Sequence, residues 1–450
     1  MFKRKIYFKI KEWKETSNGS TALLIEGARR VGKSTVVEEF AKNEYETYIL
    51  IDFSIVANDI RELFEDMSDL NYFFLQLQLQ YHTDLRERNS VIIFDEVQLC
   101  PKARQAIKVL VKDGRYDYIE TGFLISIKKN VTDIQIPSEE RKLQMNPMDY
   151  EEFLWALGDT TTMPLFEQMY LMNKPFGEKM NRNLMRNFRL YMLVGGMPQA
   201  VNEYIVTNNL KKVDDVKRDI INLYEDDFRK NDSTGRLAML FEAIPSQLNK
   251  NSKGFQTKKV LNSYKVKDTT ILSLISELKD SKVVSVAYHA NDPNVGLSAY
   301  KDLNRFKLYM ADTGLFVTLQ FKDRDFTDNI IYQKILNDKL PSNLGYLYEN
   351  VVAQMLTASG NELFYYTFLQ NDEKRNYEID FILTKRNKIC PIEVKSSQYR
   401  KHTSIDEFYK KYSDRILNRY ILHTKDLSKD QDILCLPVYL TQFVGSSKKI

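Results

Sequence analysis

Three cysteines are all that the 450-residue chain carries (Cys100, Cys390 and Cys435), and none of their spacings suits a metal knuckle or a paired redox motif. That scarcity argues against a disulfide framework and against a thiolate metal centre, and it suits a reducing compartment. The four histidines (His82, His289, His402 and His423) are scattered, with no pair at metal-ligand spacing. Long hydrophobic runs are missing too. The most apolar stretch, residues 70–81, is interrupted by Gln76, Gln78 and Gln80, well short of the roughly 18 apolar residues a membrane span needs. The opening residues bring Lys3, Arg4 and Lys5 but neither an apolar core nor a small-residue cleavage site, so a cytoplasmic chain with no membrane partner is expected. An excess of one charge is also lacking: 65 basic against 61 acidic residues leave +4, which neither requires nor rejects nucleic acid.

What is present is material for a core. Hydrophobic residues make up 43% of the chain and aromatics 12%, enough apolar surface to rule out wholesale disorder. The length exceeds one ordinary core and implies two to four domains. Strand-like runs at 21–26, 47–53, 91–94, 116–120 and 141–145 alternate with helical periodicity at 33–40, 59–85 and 103–112. The strand runs are too uniformly apolar to alternate, which predicts a buried parallel sheet. Asp149 is then placed to cap a helix running to 157. A polar helical region follows to 228, broken by Gly195-Gly196-Met197-Pro198. Beyond it the pattern is mixed: helices at 236–248 and 269–278, a strand at 282–287, a helix at 346–357, and strands at 362–367, 377–383 and 388–395. A helix at 404–412 and strands at 419–423 and 434–440 complete it.

The first chemistry-bearing motif is Gly27-Ala28-Arg29-Arg30-Val31-Gly32-Lys33-Ser34-Thr35, a complete phosphate-loop pattern between a strand and a helix. Glycines let the backbone curl with its amides toward a phosphate, and the helix start turns free N–H groups and a positive dipole end to the same anion. Lys33 is expected to reach the β- and γ-phosphates, and the Ser34 hydroxyl to join a Mg²⁺ shell. Downstream, Val91-Ile-Ile-Phe-Asp95-Glu96 ends a buried strand in two carboxylates. Asp95 is the candidate metal ligand and Glu96 the candidate base for the attacking water. Thr121, ending the next strand, is either a γ-phosphate sensor or a turn residue.

A second constellation lies near the C-terminus. Glu378-Ile-Asp380 and Glu393-Val-Lys395 stand on successive strands, and residues two apart on a strand share a face. If the strands pair as a hairpin, Asp380, Glu393 and Lys395 come together, and Glu349 on the preceding helix can join them. Such a set either binds Mg²⁺ for phosphodiester chemistry or is a solvated charge pairing. Between the two constellations, residues 250–267 hold six lysines and no acid. They read either as the approach to a winged helix-turn-helix or as a solvated run. No chemistry attaches to the strand and turn at 298–315.

The stretches Glu26-Gly-Ala-Arg-Arg-Val-Gly-Lys-Ser34, Phe94-Asp-Glu-Val-Gln98, Met148-Asp-Tyr-Glu-Glu-Phe-Leu-Trp155, Gly195-Gly-Met-Pro198, Phe306-Lys-Leu-Tyr309, Glu378-Ile-Asp-Phe381 and Ile392-Glu-Val-Lys395 together resemble one large group. It is the bacterial and archaeal predicted ATPases of the AAA superfamily that carry a C-terminal domain of unknown function. The resemblance implies an α/β protein in four parts. These are a P-loop ATPase core (1–148) with the strand order of additional-strand P-loop proteins, a helical lid (149–232), a winged-helix DNA-binding segment (233–335) and a restriction-endonuclease-like domain (336–450). Carried over by position, Lys33 and Ser34 bind ATP and Mg²⁺, Asp95 the metal and Glu96 the water. Glu349, Asp380, Glu393 and Lys395 fall where the nuclease-like fold keeps its acids and lysine. Ile379 stands where the nuclease signature has proline, and Thr121-Gly122-Phe123 where many relatives have Gly-Ser.

The expectation is therefore a Mg²⁺-dependent ATPase whose nucleotide state governs a DNA-binding half with a nuclease-like fold. The alternative is a nucleotide-gated switch or scaffold whose nuclease-like fold is inactive. Assembly into a homo-oligomer is compatible with the superfamily, whose members often complete their sites across subunits.

Overall fold

The computed structural model describes residues 1–123, 137–249, 254–262, 266–323, 329–337, 339, 345–369, 376–397 and 400–446. The chain divides into two compact units: Met1–Asn146 with Asp280–Lys282, and Pro147–Lys279 with Val283–Ile450. Among the described residues no helix is long and apolar enough to cross a membrane.

The described strands of the first unit are β1 (Ala22–Gly27), β2 (Thr47–Asp52), β3 (Ser90–Asp95), β4 (Asp117–Gly122) and β5 (Glu140–Met145). They lie in the order β2-β3-β4-β1-β5, all parallel. β1, β3 and β4 are buried at every position, as central strands covered on both faces must be. The edge strand β5 (Glu-Arg-Lys-Leu-Gln-Met) is largely polar, which blunts pairing with another chain. β4 separates β1 from β3, the strand order of the additional-strand P-loop class.

Two helices cover one face: α1 (Lys5–Ser17) and α2 (Lys33–Glu44). Ile6, Ile10, Trp13, Val36 and Phe40 pack there on Leu23, Ile25, Ile93 and Ile119. On the other face, α3 (Asn58–Glu62), α4 (Leu70–Tyr81) and α5 (Pro101–Asp113) bring Phe73, Leu77, Ile107 and Leu110 onto Ile49, Ile51, Ile92 and Phe94. The helical pattern expected over 59–85 is two helices, because Asp69 accepts the Tyr72 amide and restarts the chain as α4. α1 was not anticipated, although Ile6, Ile10, Trp13 and Ser17 recur at helical spacing and are its buried residues.

The second unit begins with α6 (Tyr150–Ala156), α7 (Thr162–Met172), α8 (Glu178–Val194), α9 (Pro198–Thr207) and α10 (Leu210–Asn231). Asp149 and Glu152 close a reciprocal capping box at the start of α6. Four shorter pieces follow: α11 (Arg236–Glu242), α12 (Ile244–Leu248), α13 (Thr257–Val260) and the longer α14 (Asp268–Asp280). After them come β6 (Val284–Ala290), β7 (Lys301–Met310), α15 (Thr313–Gln320), α16 (Asn329–Leu336) and α17 (Tyr346–Ala358). The chain closes with β8 (Leu363–Leu369), β9 (Asn376–Lys385), β10 (Lys388–Lys395), α18 (Thr403–Tyr412), β11 (Arg419–His423), β12 (Ser428–Asp430), β13 (Ile433–Pro437) and α19 (Thr441–Gly445).

The described strands of this unit make one mixed sheet in the order β12-β13-β11-β10-β9-β8-β6-β7. β8, β9 and β10 form an antiparallel meander, and β11 returns parallel to β10 after α18. Two expectations change here. β6 pairs antiparallel with β7 and parallel with β8 (Ala287 opposite Leu363), so these two strands, within the segment expected to be a winged helix, are the edge of the C-terminal sheet. The reason is burial: all seven residues of β6 are covered, and a strand so buried needs a neighbour on each side.

The helices set apart as a lid also share their core with the C-terminal region. The rings of Phe166 and Tyr439 stack at 4.7 Å, Asp426 accepts the amides of Phe176 and Gly177, and Gln354 donates to the Tyr191 hydroxyl at 2.8 Å. The boundary expected at 148 lies two residues from the change of unit, whereas those at 232 and 335 fall inside the second unit.

The same packing explains the Gly195-Gly196-Met-Pro motif. Asp312 accepts the Gly196 amide with one oxygen and, with the other, the Leu315 amide at 2.8 Å, which caps α15. Gly314 sits against the α8 terminus so closely that a Cβ on it would lie 2.5 Å from Gly195 Cα and 2.7 Å from the Val194 carbonyl. Gly314→Ala is therefore expected to cost about 1–3 kcal/mol, seen as a melting transition lowered by several degrees in calorimetry of the full chain.

Candidate functional site

The phosphate loop runs from the last residue of β1 to the first of α2. Gly27 has no room for a side chain, since a Cβ there would lie 2.5 Å from the Met145 carbonyl oxygen. Arg30 (φ 67°) and Gly32 (φ 97°) both take left-handed backbone, which curls the segment tightly. From outside, the buried Arg4 guanidinium pins the curl, donating to the Val31 carbonyl at 3.0 Å and to the Asn146 carbonyl at 2.6 Å. Sequence reasoning missed Arg4, because a latch between residues so far apart leaves no local pattern. Arg4→Ala should raise the Kd for ATP about tenfold, through loss of charge-assisted bonds that fix the loop, as measured by calorimetric titration.

Inside the curl, buried Lys33 donates to the carbonyls of Gly27 and Ala28 at 3.1 and 3.0 Å. Burial lowers its pKa, with Glu96 and Asp95 pulling the other way. The Ser34 hydroxyl donates to Asp95 Oδ1 at 2.9 Å, and the buried Thr121 hydroxyl donates to the same oxygen. Thr121 thus stands in the site as a partner of Asp95. Glu96 follows β3 with φ 54°, a strained conformation for a residue with a side chain, and its carboxylate accepts from Gln98. The two acids, the hydroxyl and the lysine meet at the carboxyl end of the parallel sheet, where open α/β sheets bind ligands.

This donor set fits Mg²⁺. The ion takes oxygen ligands, keeps several waters and needs few protein groups beyond the phosphates it bridges. Ser34 and Asp95 would hold it, and it would supply neutralisation of phosphate charge.

The C-terminal constellation gathers in a pocket of about 230 Å³ lined by Glu349, Glu378, Asp380, Glu393, Lys307 and Lys395, among others. β9 and β10 do pair as the hairpin that brings Asp380 beside Glu393. The acids are not arranged for a metal, however: among the described residues no three of His, Cys, Asp and Glu come together to hold an ion. Asp380 Oδ2 is committed to the Val394 amide at 2.8 Å, and Lys395 lies 2.9 Å from Glu393. A second ammonium enters from β7, where Lys307 bonds Glu378 and stands 3.8 Å from Glu349. A divalent ion therefore does not fit the pocket as it stands. Lys307 lies in the Phe306-Lys-Leu-Tyr stretch, which had signalled kinship without suggesting chemistry.

Burial, reinforced by Asp380 and Glu378 against the pull of Lys307, lifts the Glu349 pKa from 4.5 to about 7. The fold thus favours the protonated form, a contribution fully present below about 4.5 and lost as pH rises through about 7. The melting temperature should fall across that window, and Glu349→Gln should flatten the slope. In the lysine run at 250–267, Lys258 pairs with Asp268 at 3.0 Å, and Lys250, Lys253 and Lys265 lie outside the described residues.

Residues 19–154 match a family model described as an AAA domain. Residues 185–325 and 344–440 match two described as domains of unknown function (DUF8612 and DUF4143). No curated protein matches the chain. Among solved structures, the chain is similar to a Walker-type ATPase of Pyrococcus abyssi at 16% identity, with 71% of this chain and 96% of that one covered and a TM-score of 0.45. It is also similar to the ORC1 protein of Aeropyrum pernix in complex with DNA (12%, 75% and 93%, 0.27). A third is Cdc6p of Pyrobaculum aerophilum (11%, 75% and 94%, 0.24). The phosphate loop, Asp95 and Glu96 all fall within the stretch that matches the AAA-domain model.

Proposed function

We propose that the protein is a Mg²⁺-dependent ATPase whose nucleotide state governs the second unit and, through it, engagement of nucleic acid in the cytoplasm. The reading is carried by one observation: Lys33, Ser34 and Asp95 converge at the mouth of a loop that has no side-chain room at Gly27, with Glu96 next along the chain. In this reading Lys33 leaves the loop carbonyls for the β- and γ-phosphates, and α2 directs its free amides at the same anion. Ser34 and Asp95 hold the cation, and Thr121 orients Asp95. Glu96 accepts a proton as water oxygen attacks the γ-phosphorus, the bond to the bridging oxygen breaks, and ADP leaves with that electron pair. Steady release of phosphate from ATP by the full chain, abolished by chelating Mg²⁺, is the expected assay result. ATP bound without any turnover would contradict it.

A second reading keeps the nucleotide switch but treats the C-terminal fold as a binding surface without nuclease activity. The order α17, antiparallel β8-β9-β10, α18, parallel β11 supports a nuclease-like ancestry. Lys307 among the acids favours the inactive version. Plasmid DNA should stay intact with Mg²⁺ or Mn²⁺.

A further inference from the structure

A cleft of about 830 Å³ in the second unit lies between α8 and residues 424–428, which follow β11. Its rim is mainly cationic, with exposed Glu178 one turn before Arg182. Arg182 and Arg186 stand one turn apart on the exposed face of α8, and exposed Lys425 faces them from residues 424–428. Arg189, one turn further on, is buried and held by the Tyr348 hydroxyl at 3.1 Å. Arg186 therefore sits between two arginines at helical spacing, an arrangement that costs stability unless an anion relieves it. Among the described residues neither Arg186 nor Lys425 has an ion-pair partner. The acid on the lysine side, Asp426, is already occupied by the amides of Phe176, Gly177 and Leu427. Met185, Leu336 and Leu427 supply apolar surface beneath the cations.

We propose that this cleft binds the phosphodiester backbone of a nucleic-acid strand, with Arg182, Arg186 and Lys425 on successive phosphates and the apolar floor against sugar and base. The proposal rests on the reading that the second unit engages nucleic acid and moves the contact away from the lysine run at 250–267. An acidic peptide is less well matched, because side-chain carboxylates lack the regular spacing of a backbone charge.

Fluorescence anisotropy of the full chain with a labelled 12-nucleotide single strand, at several salt concentrations, tests this. Arg182→Glu/Arg186→Glu should weaken binding about a hundredfold, the effect of losing two charge-assisted contacts. The same pair should reduce the salt slope by about 1.4. Lys258→Glu/Lys259→Glu should leave both unchanged. Both arginines are exposed, so an unaltered melting curve is expected of the variant. Equal binding by parent and arginine variant would overturn the cleft while leaving nucleic-acid engagement standing. No binding by the parent would overturn both. Displacement of the strand by millimolar inorganic phosphate or by a dinucleotide, at equal phosphate concentration and with equal strength, would assign the cleft to a small phosphorylated ligand and overturn the strand.

Discussion

Lys33→Ala is expected to weaken ATP binding by about a hundredfold, roughly 3 kcal/mol, while the protein stays folded. Lys33 is buried and donates to the carbonyls of Gly27 and Ala28, contacts that can be exchanged for phosphate oxygens without moving the helix that carries it. Its burial lowers the pKa, so it enters the site as a weakly hydrated cation whose full interaction is available to the triphosphate. Alanine would remove the charge and leave the two carbonyls facing the γ-phosphate. Calorimetric titration with a slowly hydrolysed ATP analogue reads the loss directly. A variant binding within about threefold of the parent would mean that the loop amides do the gripping alone.

The second large effect concerns the acidic pocket. Lys307→Met is expected to create a Mn²⁺ site there, with affinity at least about tenfold above the parent's. An ammonium about 4 Å from an incoming dication opposes it by several kcal/mol at an effective dielectric near 20. Methionine keeps most of the buried stem while removing the charge. The freed carboxylates Glu349, Glu378 and Asp380 would then take the metal as counter-ion, and adding Asp380→Asn should abolish the gain. Mn²⁺ electron paramagnetic resonance on nucleotide-free full chain avoids any dependence on catalysis. Equal Mn²⁺ binding by parent and Lys307→Met would show that Lys307 does not exclude the ion.

The parts legible in sequence were those whose information is local. A phosphate loop needs its glycines, lysine and serine within nine residues, and a buried parallel strand announces itself as an unbroken apolar run, as at 91–94. The β9–β10 hairpin was legible for the same reason, its two strands being close in sequence. Long-range pairings were not. Arg4 reaches Val31 and Asn146, Lys307 reaches Glu349 and Glu378, and Asp312 reaches Gly196, each across a separation where no pattern constrains the partner. The pairing of β6 with β8 was not legible either, because sheet order is set by which faces need cover and not by proximity along the chain. α1 was readable from its period, since Ile6, Ile10, Trp13 and Ser17 recur at helical spacing.

The most direct test of the account is Glu96→Gln, followed through ATP binding and single-turnover hydrolysis in the same preparation. Glutamine keeps the shape and the contact with Gln98 but accepts no proton. The account predicts ATP affinity within about threefold of the parent and a hydrolysis rate lower by about a hundredfold or more. Hydrolysis at the parental rate would contradict it, because the base would then have to be some other group.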